Sequence, residues 1–77
     1  MIYKTQDINM ASVLTSLGFD LLDFDNTDKK NCIFSFEETP RLKSVINMFW
    51  NKKLMIEPTS FFAQLRLLRS RIFDDLN

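Results

Sequence analysis

Histidine is absent from these 77 residues, cysteine is represented by Cys32 alone and glycine by Gly18 alone. Each shortage excludes something. Without histidine the chain lacks the commonest general base and the commonest zinc ligand. A single thiol forms no intramolecular disulfide and no cysteine-rich zinc site, so a reducing compartment is the natural expectation. One glycine rules out glycine-rich phosphate loops and long flexible linkers. No run approaches the roughly 18 consecutive apolar residues of a membrane span. The start, Met1-Ile2-Tyr3-Lys4-Thr5-Gln6-Asp7, has neither the basic head nor the apolar centre of a signal peptide. The expected location is the cytoplasm of whatever cell makes or hosts the protein.

What is present fits one small globular domain spanning 1–77. The hydrophobic fraction is 45%, and eight Phe, one Trp and one Tyr supply much of it. A buried Phe contributes roughly 1.5–3 kcal/mol, so an aromatic core is how so short a chain offsets its ordering entropy. Formal net charge is zero, yet the charges are segregated. Residues 1–40 hold three cations against seven anions, and residues 41–77 hold seven against three. That asymmetry marks either an electrostatic binding face or two halves of one fold that attract each other.

Hydrophobic periodicity predicts the order βαββαα, an α+β fold. Ile2 to Thr5 alternates as a first strand. Asp7 is an N-cap for a helix that is apolar nearly all round, and Gly18 stands where a left-handed helix terminator belongs. Leu21–Asp25 and Cys32–Glu37 flank the polar Asn26-Thr27-Asp28-Lys29-Lys30-Asn31 and read as a β-hairpin. Leu22 and Phe24, with Cys32, Phe34 and Phe36, are expected on one apolar face. Asp23, Asp25, Ser35 and Glu37 are expected on the other. The predicted arrangement is a short antiparallel sheet with helices packed on one face. Thr39-Pro40 starts the second helix, where Leu42, Val45, Ile46, Phe49 and Trp50 form one stripe. Lys52 and Lys53 sit at its negative end. Glu57-Pro58 opens the last helix, with Phe61, Leu65, Leu68, Ile72 and Leu76 inward and Phe62 and Phe73 at the edge.

Several landmarks in this order carry a resemblance: Tyr3-Lys4-Thr5-Gln6-Asp7, Leu17-Gly18-Phe19, Phe34 to Pro40, Trp50-Asn51 and Leu68-Arg69-Ser70-Arg71. Together they resemble a family of small uncharacterised domains found in bacteriophages and bacterial mobile elements. The resemblance covers nearly the whole chain and implies that origin, with no assigned activity. Arg69 stands where such domains are expected to carry Lys, and Lys52 follows Asn51 where Gly is expected.

The residues themselves point away from catalysis. Cys32 lies among phenylalanines in a strand with no cation beside it, which suits core packing. Asp20, Asp23, Asp25 and Asp28 partly match calcium-loop spacing, but the tight-turn Gly and the closing Glu are missing. No metal, cofactor or small-molecule substrate is expected, and the chain reads as a non-enzyme.

The feature to follow is the basic set between Arg41 and Arg71, where seven cations face Glu57 alone. At about 100° per residue, Arg69 projects from the apolar stripe of the last helix. It either meets a buried carboxylate, for which Asp23, Glu37 and Glu38 are candidates, or snorkels outward beside Arg66. Two function classes follow. In the first, Lys52, Lys53, Arg66, Arg69 and Arg71, helped by Trp50, bind nucleic acid or a nucleoprotein. In the second, the domain is a protein-binding accessory or inhibitor, or a small oligomeric component, using its sheet and possible as a homodimer. A pI of about 6.1 and the lack of any helix-turn-helix, RNP or zinc-finger signature weigh against the first.

Overall fold

The computed structural model describes residues 1–28 and 30–74. In chain order these form β1 (Ile2–Thr5), α1 (Ile8–Ser16), β2 (Leu21–Asp25), β3 (Ile33–Glu37), α2 (Pro40–Trp50) and α3 (Pro58–Asp74). The order is the βαββαα expected from periodicity. Lys29, Asp75, Leu76 and Asn77, and the side chains of Phe73 and Asp74, lie outside what is described.

The sheet is antiparallel with β3 in the middle, in the order β1-β3-β2. Residues opposite one another in register share a face, so Tyr3 joins Phe36, and Phe24 joins Phe34, on the inner side. The Phe24 and Phe34 rings stack there at 5.2 Å. All three helices close over this side: Met10, Ala11 and Leu14 from α1, Leu42 from α2 and Leu68 from α3 surround Cys32, Phe34 and Phe36. α1 buries five consecutive residues, Met10 to Leu14, which explains why it is apolar all round.

Three expectations about side-chain placement are corrected. A bulge between Leu21 and Asp23 inserts one residue, so Leu21 pairs with Phe36 and Leu22 is left 53% exposed. An extra residue reverses the alternation on one side of it, and Leu21, not Leu22, is the inward partner of Phe24. Ser35 does face the outer side, but it is buried there. It occupies the central strand between Lys4 and Asp23, its register partners on the two edges. Trp50 leaves the α2 stripe. At the last helical residue its ring reaches past the core and is 64% exposed.

Local chemistry sets the helix limits. The Asn9 N–H donates to Asp7 Oδ1 at 2.9 Å, and the Leu42 N–H to Thr39 Oγ1 at 3.1 Å. Gly18 ends α1 with φ +94°. Its N–H donates to the Thr15 carbonyl and that of Phe19 to the Leu14 carbonyl, the paired bonds of a Schellman cap.

Candidate nucleic-acid interface

The site is built where α2 ends and α3 begins. Lys53 N–H donates to the Met48 carbonyl and Lys52 N–H to the Phe49 carbonyl, a second Schellman cap. Here the left-handed position is Lys52, with φ +59°. Glycine occupies that conformation without a Cβ clash, whereas other L-residues are disfavoured by roughly 1–2 kcal/mol. This is the position at which Gly was expected from the resemblance. The cap survives the lysine and displays Lys52 and Lys53, both exposed, just beyond Trp50.

After Leu54 to Ile56, which form neither helix nor strand, Glu57 caps α3. Its carboxylate accepts the Thr59 N–H at 3.0 Å and the Ser60 N–H at 2.6 Å. The Ser60 and Thr59 amides hold the Glu57 carboxyl below the usual range. The one anion among the basic residues is thus committed to a helix end.

α3 buries one stripe, with Leu68 at its centre and Phe61, Leu65 and Ile72 half-buried. Phe62, Arg66 and Arg69 follow at i, i+4 and i+7 and share one flank. All three are exposed, Phe62 by 55%. Of the two placements open to Arg69, the outward one is observed. Glu38, offered as its partner, instead lies 3.3 Å from Lys43. Among the described residues Lys52, Lys53, Arg66 and Arg69 form no ion pair.

Arg71 goes elsewhere. It projects from the opposite flank of α3, and its guanidinium lies 5.3 Å from the centroid of the Phe24 ring. Arg41 is likewise occupied, 4.7 Å over the Phe19 ring and donating to the Leu17 carbonyl at 3.4 Å. The structure therefore separates the basic set three ways: Lys52, Lys53, Arg66 and Arg69 are exposed and without an ion pair among the described residues, Lys43 pairs with Glu38, and Arg41 and Arg71 lie over aromatic rings.

Between α1, the end of α2 and the start of α3 runs a groove of about 370 Å³, lined by Asn9, Val13, Phe49, Lys52, Leu54, Ile56 and Phe61. Trp50 meets Phe49 edge-on at 5.2 Å, and Phe62 meets Phe61 edge-on at 5.5 Å. Asn9 and Phe62 were not singled out in the sequence as site residues. Phe62 was legible from its spacing to Arg66 and Arg69; Asn9 joins only through tertiary packing. Among the described residues no three His, Cys, Asp or Glu side chains converge as metal ligands. No helix among them is long and apolar enough to cross a membrane.

A family model, Domain of unknown function (DUF5659), matches residues 1–74. The chain belongs to the DUF5659 family. Comparison with curated proteins and with solved structures gives no match. The DUF5659 domain in this chain thus comprises the whole sheet, all three helices and the site at the α2–α3 junction.

Proposed function

We propose that this DUF5659 domain is a non-enzymatic binding protein whose ligand is nucleic acid or a nucleoprotein, held on the α2–α3 surface. The observation that carries the reading is the juxtaposition of an exposed Trp50 with exposed Lys52 and Lys53, none of these lysines ion-paired among the described residues. Phe62, Arg66 and Arg69 repeat the combination on α3. Cations meet phosphates, and aromatic faces stack on bases whatever their sequence. The reading includes a phage or mobile-element origin and action in the host cytoplasm. Titration with labelled oligonucleotides at low and moderate salt tests it: affinity falls steeply with salt if phosphate contacts dominate, and salt-independent or absent binding refutes it.

A second reading, a protein-binding accessory or inhibitor, has its own support. The outer sheet face carries Ile2, 51% accessible, beside exposed Asp23, Asp25 and Glu37, and the β2 bulge adds Leu22, 53% accessible. That surface suits a protein with a basic, partly apolar patch, including the helical side of a second copy. The Asp23→Asn/Asp25→Asn variant separates the readings: weakened self-association, measured by sedimentation, supports the sheet face as the interface, whereas oligonucleotide binding that survives the change supports the α2–α3 surface.

A further inference from the structure

The groove beside Trp50 adds a distinction that basic surface alone does not make. We infer that the groove between Phe49 and Phe61 receives an unpaired nucleobase, so that the domain selects single-stranded over double-stranded nucleic acid. This rests on the nucleic-acid reading above and refines it.

The lining fits a base better than a purely aliphatic tail. Phe49 and Phe61 supply aromatic surface, and Val13, Leu54 and Ile56 complete apolar walls. Asn9, exposed on the first turn of α1, brings an amide that both donates and accepts. A base edge offers both kinds of group, as an alkyl chain does not. The volume, about 370 Å³, falls at the small end of ligand pockets, which run from roughly 300 to 1,000 Å³.

The rim is suited to the rest of a nucleotide. Lys52 lines the groove itself, and its ammonium complements a phosphate attached to an inserted base. It occupies a left-handed backbone position that glycine would fill with less strain. Retaining a lysine there keeps a cation at the groove at the expense of backbone comfort, a pattern associated with functional sites. Outside the groove, Trp50 abuts Phe49 and Phe62 abuts Phe61. Each offers an exposed ring on which a neighbouring base can stack. In a duplex the bases are paired and stacked inside, so neither the groove nor these rings can engage them without disrupting the helix.

The test uses the full chain, twelve-nucleotide oligo-dT and oligo-U, and a DNA duplex of the same length. Trp50, the one tryptophan, reports binding by fluorescence, and 2-aminopurine within an oligonucleotide reports base stacking. The expected result is at least tenfold tighter binding of a single strand than of duplex, with 2-aminopurine emission quenched. The oligo-dT and oligo-U arms distinguish DNA from RNA as the source. Phe61→Leu keeps apolar volume, and Asn9→Ala changes an exposed side chain, so at least one variant keeps the fold. Each is expected to weaken single-strand binding about fivefold or more, Phe61→Leu by losing a base–aromatic stack and Asn9→Ala by losing hydrogen bonds to the base edge, and to leave duplex affinity unchanged. Salt-dependent duplex binding as tight as single-strand binding, with both variants silent, overturns the inference while leaving the surface reading intact. No binding to any oligonucleotide overturns both. A dimer in sedimentation that seals the groove also overturns it.

Discussion

Lys52 concentrates the tension between stability and use at a single residue. Its φ of +59° lies where L-side chains are disfavoured, and its side chain lines the groove. Lys52→Gly relieves the backbone but adds freedom to the unfolded chain, for a net gain of about 0.5–1 kcal/mol. The expected outcome is a higher melting temperature together with weaker oligonucleotide binding. A variant that melts lower shows that the lysine side chain itself holds the α2 cap. Asp25 and Asp28, two of the carboxylates whose spacing only partly matches a calcium loop, organise the turn after β2. Asp28 accepts from the Asn31 side chain and the Lys30 N–H, and Asp25 accepts from the Thr27 N–H. Hydrogen bonds from Asn31 and Thr27 respectively hold these two carboxyls below their ordinary 3.8, and the Ser60 and Thr59 amides do the same for Glu57. The folded state binds protons less readily at these groups than the unfolded state does. Their contribution is therefore present above the unfolded-state values, the highest of which is the 4.5 of Glu57, and is lost as pH falls through the depressed values. A melting temperature that is flat from pH 7 to about 4.5 and declines below it is the expected profile; Glu57→Ala should lower the neutral plateau and flatten part of that decline. A plateau extending unchanged to pH 2 contradicts it.

At the scale of elements, the sequence was most legible where one residue type has one structural use. Thr39-Pro40, Asp7 and Gly18 mark helix limits because capping and left-handed φ each suit few residues, and all three stand where expected. The inward set Cys32, Phe34, Phe36, Leu42 and Leu68 was likewise readable from period and spacing. What escaped was the β2 bulge. An inserted residue leaves no signature in Leu21-Leu22-Asp23-Phe24, because either leucine satisfies an apolar position; only the pairing to β3 decides. Trp50 escaped for a related reason, since helical spacing cannot show that the core ends before the last residue of α2. These assignments have consequences for stability. Leu42 and Phe34 are almost fully buried, so Leu42→Ala should cost about 2–5 kcal/mol and Phe34→Ala about 3–5 kcal/mol. Leu22→Ser, on the exposed bulge, should stay within about 0.5 kcal/mol of the parent. Chemical denaturation reads all three, and a Leu22→Ser loss as large as that of Leu42→Ala shows the strand in the other register.

Over the whole molecule, the charge division along the chain becomes a division in space only in part. Asp23, Asp25 and Glu37 share the outer sheet side with Lys4, while Lys52, Lys53, Arg66 and Arg69 stand exposed on the helical side. Arg41 and Arg71, which counted equally in the sequence, are spent on the Phe19 and Phe24 rings. Spacing gave no means to tell these from the free cations, since their aromatic partners come from other elements. The proposed binding surface is accordingly smaller than the run of positive charge implied, and Arg71→Ala should change oligonucleotide affinity much less than Arg66→Ala or Arg69→Ala. The most direct measurement is the affinity of the full chain for a single-stranded oligonucleotide across a series of salt concentrations. With Lys52, Lys53, Arg66 and Arg69 as the phosphate contacts, log K should fall linearly with log salt at a slope of about −3, since each single-strand contact contributes about 0.7. Replacing all four by alanine should bring the slope close to zero. Binding that is absent, or that keeps its salt dependence in the fourfold variant, contradicts the assignment of this surface.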